Sequence, residues 1–170
     1  MKIEKIVLQN SGYVVCRSKF YTVHDVVPEN SRFVFSTGIN ILSNEIDSGV
    51  WAASYMLSMY NDKPEDFILF EKPTLYADNS LRNLGDIMKY SCYMDEIYPL
   101  FSSENTVENL IINGLSTNKP NYSPEYLKKM FFISNDRFTR SIAQMGNERF
   151  RAMAAVGVAY NKQIFCFPWL

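Results

Sequence analysis

The chain has 170 residues, enough to bury a sizeable core in one domain, and 47% of them are hydrophobic against 21% charged. Its 17 Lys and Arg nearly balance 18 Asp and Glu, and a net charge of -1 without basic clusters excludes the electrostatic footprint of a nucleic-acid or acidic-membrane binder. Aromatic residues reach 15%, carried by 11 Tyr and 12 Phe; that exceeds what one small core usually needs, so exposed aromatic surface for a protein partner is expected.

Alternating apolar residues over Ile3–Leu8 and Tyr13–Cys16 predict two antiparallel strands, joined by a turn at Asn10-Ser11-Gly12. Ser31–Phe35 reads as a third strand. Gly38–Leu42 is short and β-rich, as a buried strand should be. A polar loop follows, and then Val50–Tyr60, apolar on nearly every side, predicts a helix buried on more than one face. Phe67–Phe70 and Lys89–Met94 are further strand candidates. Thr106 caps a helix that should stop at Asn113-Gly114, with Ser116–Asn121 as a polar loop. Ser123-Pro124-Glu125 supplies a cap, a first-turn proline and an acid for another helix start, and Met130-Phe131-Phe132 reads as its core-facing end. Ala152–Tyr160 is a small-residue helix suited to close packing, and Ile164–Phe167 a final apolar strand. The pattern predicts an α/β fold in one domain over residues 1–170, with an antiparallel β part over about 1–37 and a helical insertion over about 102–150.

Residues that could carry metal or redox chemistry are sparse. Cys16, Cys92 and Cys166 are odd in number, widely spaced and without a CxxC pair, which argues against a disulfide framework or a structural zinc site. His24 has no second histidine to share a metal with and reads as an ordinary loop or strand-end residue. No metal and no cofactor are expected. The first ten residues, MKIEKIVLQN, lack the apolar stretch of a signal peptide, and no window reaches the ~18 apolar residues of a spanning helix. The expectation is a reduced, cytoplasmic protein without direct membrane insertion, peripheral at a membrane only through a partner.

Strand, glycine-containing polar loop and buried helix is the layout of a phosphate-binding loop, which requires GxxxxGK[ST]. The corresponding stretch here is Asn44-Glu45-Ile46-Asp47-Ser48-Gly49-Val50-Trp51: Asn44 replaces the first glycine, Gly49 matches the second, and Val50 and Trp51 occupy the lysine and hydroxyl positions. The C-terminal stretch from Gln144 to Leu170 resembles the signature and Walker B region of the ATP-binding cassette ATPases, the nucleotide-binding domains of ABC transporters. Gly146, Glu148, Arg149 and Arg151 match the signature block, and the interval to Ile164-Phe165-Cys166-Phe167 needs no gap. Tyr93-Met94-Asp95-Glu96, Leu100-Phe101 and Thr106-Val107-Glu108-Asn109-Leu110 resemble the family's Q-loop and the segment after it, with Glu96 in place of the glutamine. The segments keep their order over about residues 38–170. The resemblance implies a P-loop-NTPase-like core sheet that ends after the Walker B-like strand.

The departures fall on the family's chemical groups. Pro168 and Trp169 stand where the resemblance places the magnesium-supporting Asp and the water-polarising Glu. The signature serine falls on Met145, followed by Gly146, Asn147 and Glu148. Each charge-assisted contact to phosphate is worth about 1.5–3 kcal/mol. Loss of the lysine, hydroxyl and Asp contacts would move a micromolar site beyond millimolar at ~1.4 kcal/mol per tenfold. With neither positioning nor charge neutralisation, phosphoryl transfer has no support. The expected function is therefore a non-hydrolysing, partner-binding or regulatory subunit, a pseudo-ATPase. Its partner would be an ABC transporter membrane subunit or a full-length ATPase subunit, in a homo- or hetero-oligomer. The alternatives are an active ATPase with an unconventional site and a stand-alone interaction module. Because the family's Q-loop region receives the membrane subunit, Tyr93, Glu96, Tyr98 and Phe101 are the candidate partner interface, against the plainer reading of aromatics that cover a core junction.

Overall fold

The structure, a computed structural model, describes residues 2–9, 14–17, 24–27, 32–41, 50–58, 67–69, 74–95, 98–101, 104–118 and 121–167. They pack as two compact units, one ending at Lys89 and the other spanning Tyr90–Phe167. The fold is mixed α/β, with antiparallel sheets in the first unit and a parallel pair of strands in the second.

In the first unit β1 (Lys5–Gln9), β2 (Val14–Arg17), β3 (His24–Val27) and β4 (Arg32–Ser36) precede α1 (Val50–Ser58). After them come β5 (Phe67–Leu69), β6 (Thr74–Ala77), β7 (Ser80–Arg82) and the short helix α2 (Leu84–Met88). β1 alternates as expected, with Ile6 and Leu8 buried and Lys5 and Gln9 exposed. Its partners differ from the sequence expectation. β1 lies between β4 and β6 in a sheet ordered β4-β1-β6-β7, while β2 lies between β3 and β5 in a separate sheet. β1 and β2 are therefore not a hairpin, and the expected turn at 10–12 lies outside the described residues. The register sets Ala77 opposite Ile6 and Leu75 opposite Leu8, so four buried side chains share one face. The antiparallel part thus takes in residues 67–69 and 74–82 as well as the N-terminal strands.

A two-residue turn joins β6 to β7. Asp78 (φ 49°) and Asn79 (φ 64°) are both left-handed, the geometry that matches strand twist in tight hairpins. The Asp78 carboxylate also accepts from the backbone N–H groups of Glu4 and Lys5, at 3.0 and 2.9 Å, tying the turn to the start of β1. Helix α1 packs on β2, β3 and α2, and its residues 53–58 are all buried, in line with its apolar sequence.

The second unit opens with β8 (Ser91–Tyr93) and closes with β9 (Ile164–Cys166), paired in parallel with Cys92 opposite Phe165. Parallel strands need a crossover; here it consists of α3 (Val107–Asn118), α4 (Pro124–Met130), α5 (Asn135–Phe138) and α6 (Arg149–Ala159). Two 3₁₀ turns, Ile142–Gln144 and Gly146–Glu148, lead into α6. The cap at the start of α4 is as predicted, with Ser123 Oγ accepting from the Tyr126 N–H at 3.1 Å. Helix α3 departs from expectation by running through Asn113-Gly114 to Asn118, so residues 116–118 of the expected polar loop are helical. Gly114 does not end the helix because it serves a packing role. A Cβ there would lie 2.6 Å from the Tyr160 ring and 2.9 Å from the Ala159 carbonyl carbon, so α3 and the end of α6 approach at that point. Gly157 does the same for α6 over β8 and β9, where a Cβ would meet Phe165 at 2.6 Å and Cys92 Sγ at 3.5 Å.

Candidate functional site

The phosphate-loop-like segment enters the structure only in part. Asn44 and Gly49 lie outside the described residues. Of Gly38–Leu42, expected to form a buried strand before the loop, Leu42 lies outside the described residues and 38–41 are not a strand: Ile39 is 95% exposed and Ile41 86% exposed. The cause is local. Asn40 folds back on the end of β4, its side chain accepting from the Ser36 N–H at 2.9 Å and donating to the Ser36 carbonyl at 2.7 Å. An asparagine that satisfies these groups itself competes with a strand ladder. Gly38, at φ 108°, completes the bend. β9 pairs with β8, and the Met94 N–H extends the ladder to the Cys166 carbonyl at 2.9 Å.

Val50 and Trp51 form the first residues of α1, where a phosphate loop would present its lysine and hydroxyl. Neither side chain carries a cation or a metal-binding oxygen, so these residues do not fit a magnesium-bound triphosphate. Pro168 and Trp169 lie outside the described residues.

The signature-like block is fully described. Met145, which the resemblance would set at the signature serine, is completely buried in the hydrophobic interior. Gly146 is exposed at φ 57° and Asn147 is exposed beside it. Glu148 has an internal partner: its carboxylate accepts from the Ser134 N–H at 2.9 Å and the Ser134 hydroxyl at 3.2 Å, at the start of α5. Those bonds, the backbone one foremost, hold the Glu148 carboxyl below its ordinary range, assisted by Arg151 and Arg137. Arg151 stands 4.0 Å from Glu148, and Arg137 donates to the Gln144 carbonyl beneath the same turn. The block is a cross-braced turn in which the acid is engaged by the protein. Sequence reasoning named Glu148 but not Ser134, because a partner fourteen residues upstream leaves no local signal.

The candidate partner interface is corrected at three of its four positions. Tyr93, Tyr98 and Phe101 are 1%, 8% and 2% exposed, so they cannot present an aromatic surface; Glu96 lies outside the described residues. The Tyr98 hydroxyl donates to the Ser91 carbonyl at 3.1 Å and its ring packs on Phe101 at 5.5 Å. The Lys162 ammonium sits 5.9 Å from the Tyr98 ring centroid, and burial lowers its pKa. Beside it, burial pushes the Cys92 thiol up to about 12. Cys92 faces α6 with Phe165, whereas Cys166 shares the opposite pleat with Tyr93, so the two thiols stand on opposite faces of the strand pair. His24 begins β3, a strand-end position.

Among the described residues no group of three or more His, Cys, Asp or Glu is placed to hold a metal ion, and no helix is long and apolar enough to cross a membrane. No family model matches the chain, and no curated protein matches it.

Proposed function

We propose that the chain is a non-hydrolysing protein laid out like an ATP-binding cassette domain, acting by binding a partner or regulating one. One observation carries the reading: each position at which the resemblance requires phosphate or magnesium chemistry holds a side chain unable to perform it. Val50 and Trp51 replace a cation and a hydroxyl, Pro168 and Trp169 replace two acids, and Met145 replaces a serine. The burial of Met145 supports it, since no nucleotide could reach that side chain without unpacking the turn. The engagement of Glu148 by Ser134 gives the acid of the block a structural use. A parallel pair formed by the strands before the Q-loop-like and Walker B-like positions, joined by a helical crossover, accords with such a layout. The partner in this reading is an ABC transporter membrane subunit or a full-length ATPase subunit.

Titration calorimetry with Mg-ATP tests the first half of the proposal. No heat of binding is expected up to about 1 mM nucleotide; micromolar affinity would return the chain to the nucleotide-binding class. Affinity purification from the native host tests the second half. Recovery of a transporter subunit is expected, and its absence from repeated purifications would leave a stand-alone interaction module as the better description.

A further inference from the structure

We propose that the outer face of α4 is a self-complementary docking surface on which a second copy of this chain binds, α4 against α4 in antiparallel orientation about a two-fold axis. This rests on α4 and its flanks alone and not on the reading above.

Tyr122, Tyr126 and Met130 recur every fourth residue, and they are 46%, 51% and 54% exposed. Tyr126 and Met130 lie one turn apart on α4, and Tyr122, just before the cap, joins them through its ring stacked on Tyr126. The two tyrosine rings are stacked at 5.5 Å and 3° from parallel, a flat aromatic platform turned to solvent. Phe132, two residues past the end of α4, is 77% exposed. The sequence placed Met130-Phe131-Phe132 in the core; the structure puts only Phe131 in a half-buried position.

Phe132 is also strained. It adopts φ 52° just past the helix end, with its N–H bonded to the Lys129 carbonyl at 3.2 Å and the Ile133 N–H bonded to the Lys128 carbonyl at 3.0 Å. This is the helix-terminating motif in which glycine is the usual residue, because a side chain there meets the backbone. Phe132 thus places a large aromatic ring, 77% exposed, on a left-handed backbone. Such strain is retained where a surface is used.

The charges beside the stripe select the occupant. Glu125 and Lys129 immediately precede Tyr126 and Met130, so both lie on the same flank of the stripe, one turn apart. In an antiparallel helix pair, like flanks meet. Glu125 of one copy therefore faces Lys129 of the other, and two-fold symmetry repeats the pair. Within one chain Glu125 stands 3.5 Å from Lys128, while Lys129 has no ion pair among the described residues. The same antiparallel register sets Tyr126 against its own counterpart near the axis. Met130 and Phe132 of one copy then meet Tyr122 of the other, a favourable sulfur–aromatic and ring–ring combination. A helix of seven residues is only about 10 Å long. That falls short of the ~800 Å² per partner of tight complexes, so the dimer is weak and concentration-dependent.

Sedimentation equilibrium of the full chain from about 20 µM to about 1 mM tests the proposal. A monomer–dimer equilibrium is expected, lost in Tyr126→Arg. Glu125→Lys and Lys129→Glu should each raise the dissociation constant about tenfold, because each reversal disrupts two symmetric rim pairs. The double reversal should recover most of that loss, a result that generic stickiness would not produce. A monomer throughout the range, a dimer indifferent to Tyr126→Arg, or a double reversal as weak as either single one would overturn the inference. Circular dichroism of each variant reports that these exposed substitutions leave the fold intact.

Discussion

The ring of Tyr160 occupies the space that a side chain on Gly114 would need, with its Cδ2 2.6 Å from the missing Cβ. Two effects oppose each other at this site. Alanine is the better helix former by about 1 kcal/mol, but overpacking costs about 1–3 kcal/mol. The Ala159 backbone carbon at 2.9 Å cannot rotate away as a side chain would, so overpacking wins. Gly114→Ala should lower stability by about 1 kcal/mol or more, read as a shift of the urea midpoint with unchanged slope. A stabilised variant would show that the ring moves freely and that α3 and α6 are not in close approach.

Glu148 predicts an acid-side pH dependence. Hydrogen bonds from Ser134 hold its folded-state pKa below the ordinary value of 4.5. A depressed carboxyl contributes stability that is present above its unfolded pKa and is lost as pH falls through the folded one. Stability should therefore drop below about pH 4.5 in the wild-type chain and drop less in Glu148→Gln. At pH 7 the variant should be weaker by about 1 kcal/mol, near the low end for charge-assisted bonds because the site is close to solvent. Parallel urea titrations at neutral and acid pH would show it. Equal pH profiles would mean that Glu148 is solvated in both states.

Cys92 should be silent toward thiol reagents. Its sulfur is buried against α6 and its pKa is raised to about 12 by desolvation, so thiolate is scarce at any ordinary pH. A short iodoacetamide pulse at about pH 8 should leave Cys92 unmodified in the native chain and label it fully in guanidinium, as resolved by peptide mass spectrometry. A raised thiol pKa also contributes stability that is complete below the unfolded value near 9 and lost as pH rises toward 12. Cys92→Ala should flatten that alkaline decline.

The Asp78 turn gives a local prediction. Asp78→Ala removes two hydrogen bonds to β1 and leaves alanine at φ 49°, a conformation it adopts poorly. A loss of about 1–2 kcal/mol is expected, with faster amide exchange at Lys5. Asn79→Gly should be neutral or slightly stabilising, since φ 64° suits glycine.

Phe132→Gly should separate stability from association. Relief of the left-handed strain should raise stability by about 0.5–1 kcal/mol, measured by thermal or urea unfolding. The same substitution removes the exposed ring that the proposed dimer sets against Tyr122, so dimerisation should weaken. A variant that is less stable would show that Phe132 packs on its own chain after all.

Local signals in the amino-acid sequence were enough to place β4, α1, β5, β8, the start of α4, α6 and β9 within a few residues, because periodicity and capping act between residues a turn or less apart. Glu148 was named only through the resemblance of its block, not through periodicity or capping. Strand partners were not legible. β1 lies between β4 and β6 instead of turning back on β2, and that outcome rests on Ile6 and Leu8 meeting Ala77 and Leu75 some seventy residues away. Gly114 read as a stop because its sequence context cannot reveal Tyr160 across the helix pair. Composition showed that aromatic residues were in surplus, but not which of them would be covered. The Tyr93–Phe101 group is buried, while Tyr122, Tyr126 and Phe132 face outward. Burial depends on what packs against a side chain, and that is decided only when elements distant in sequence come together.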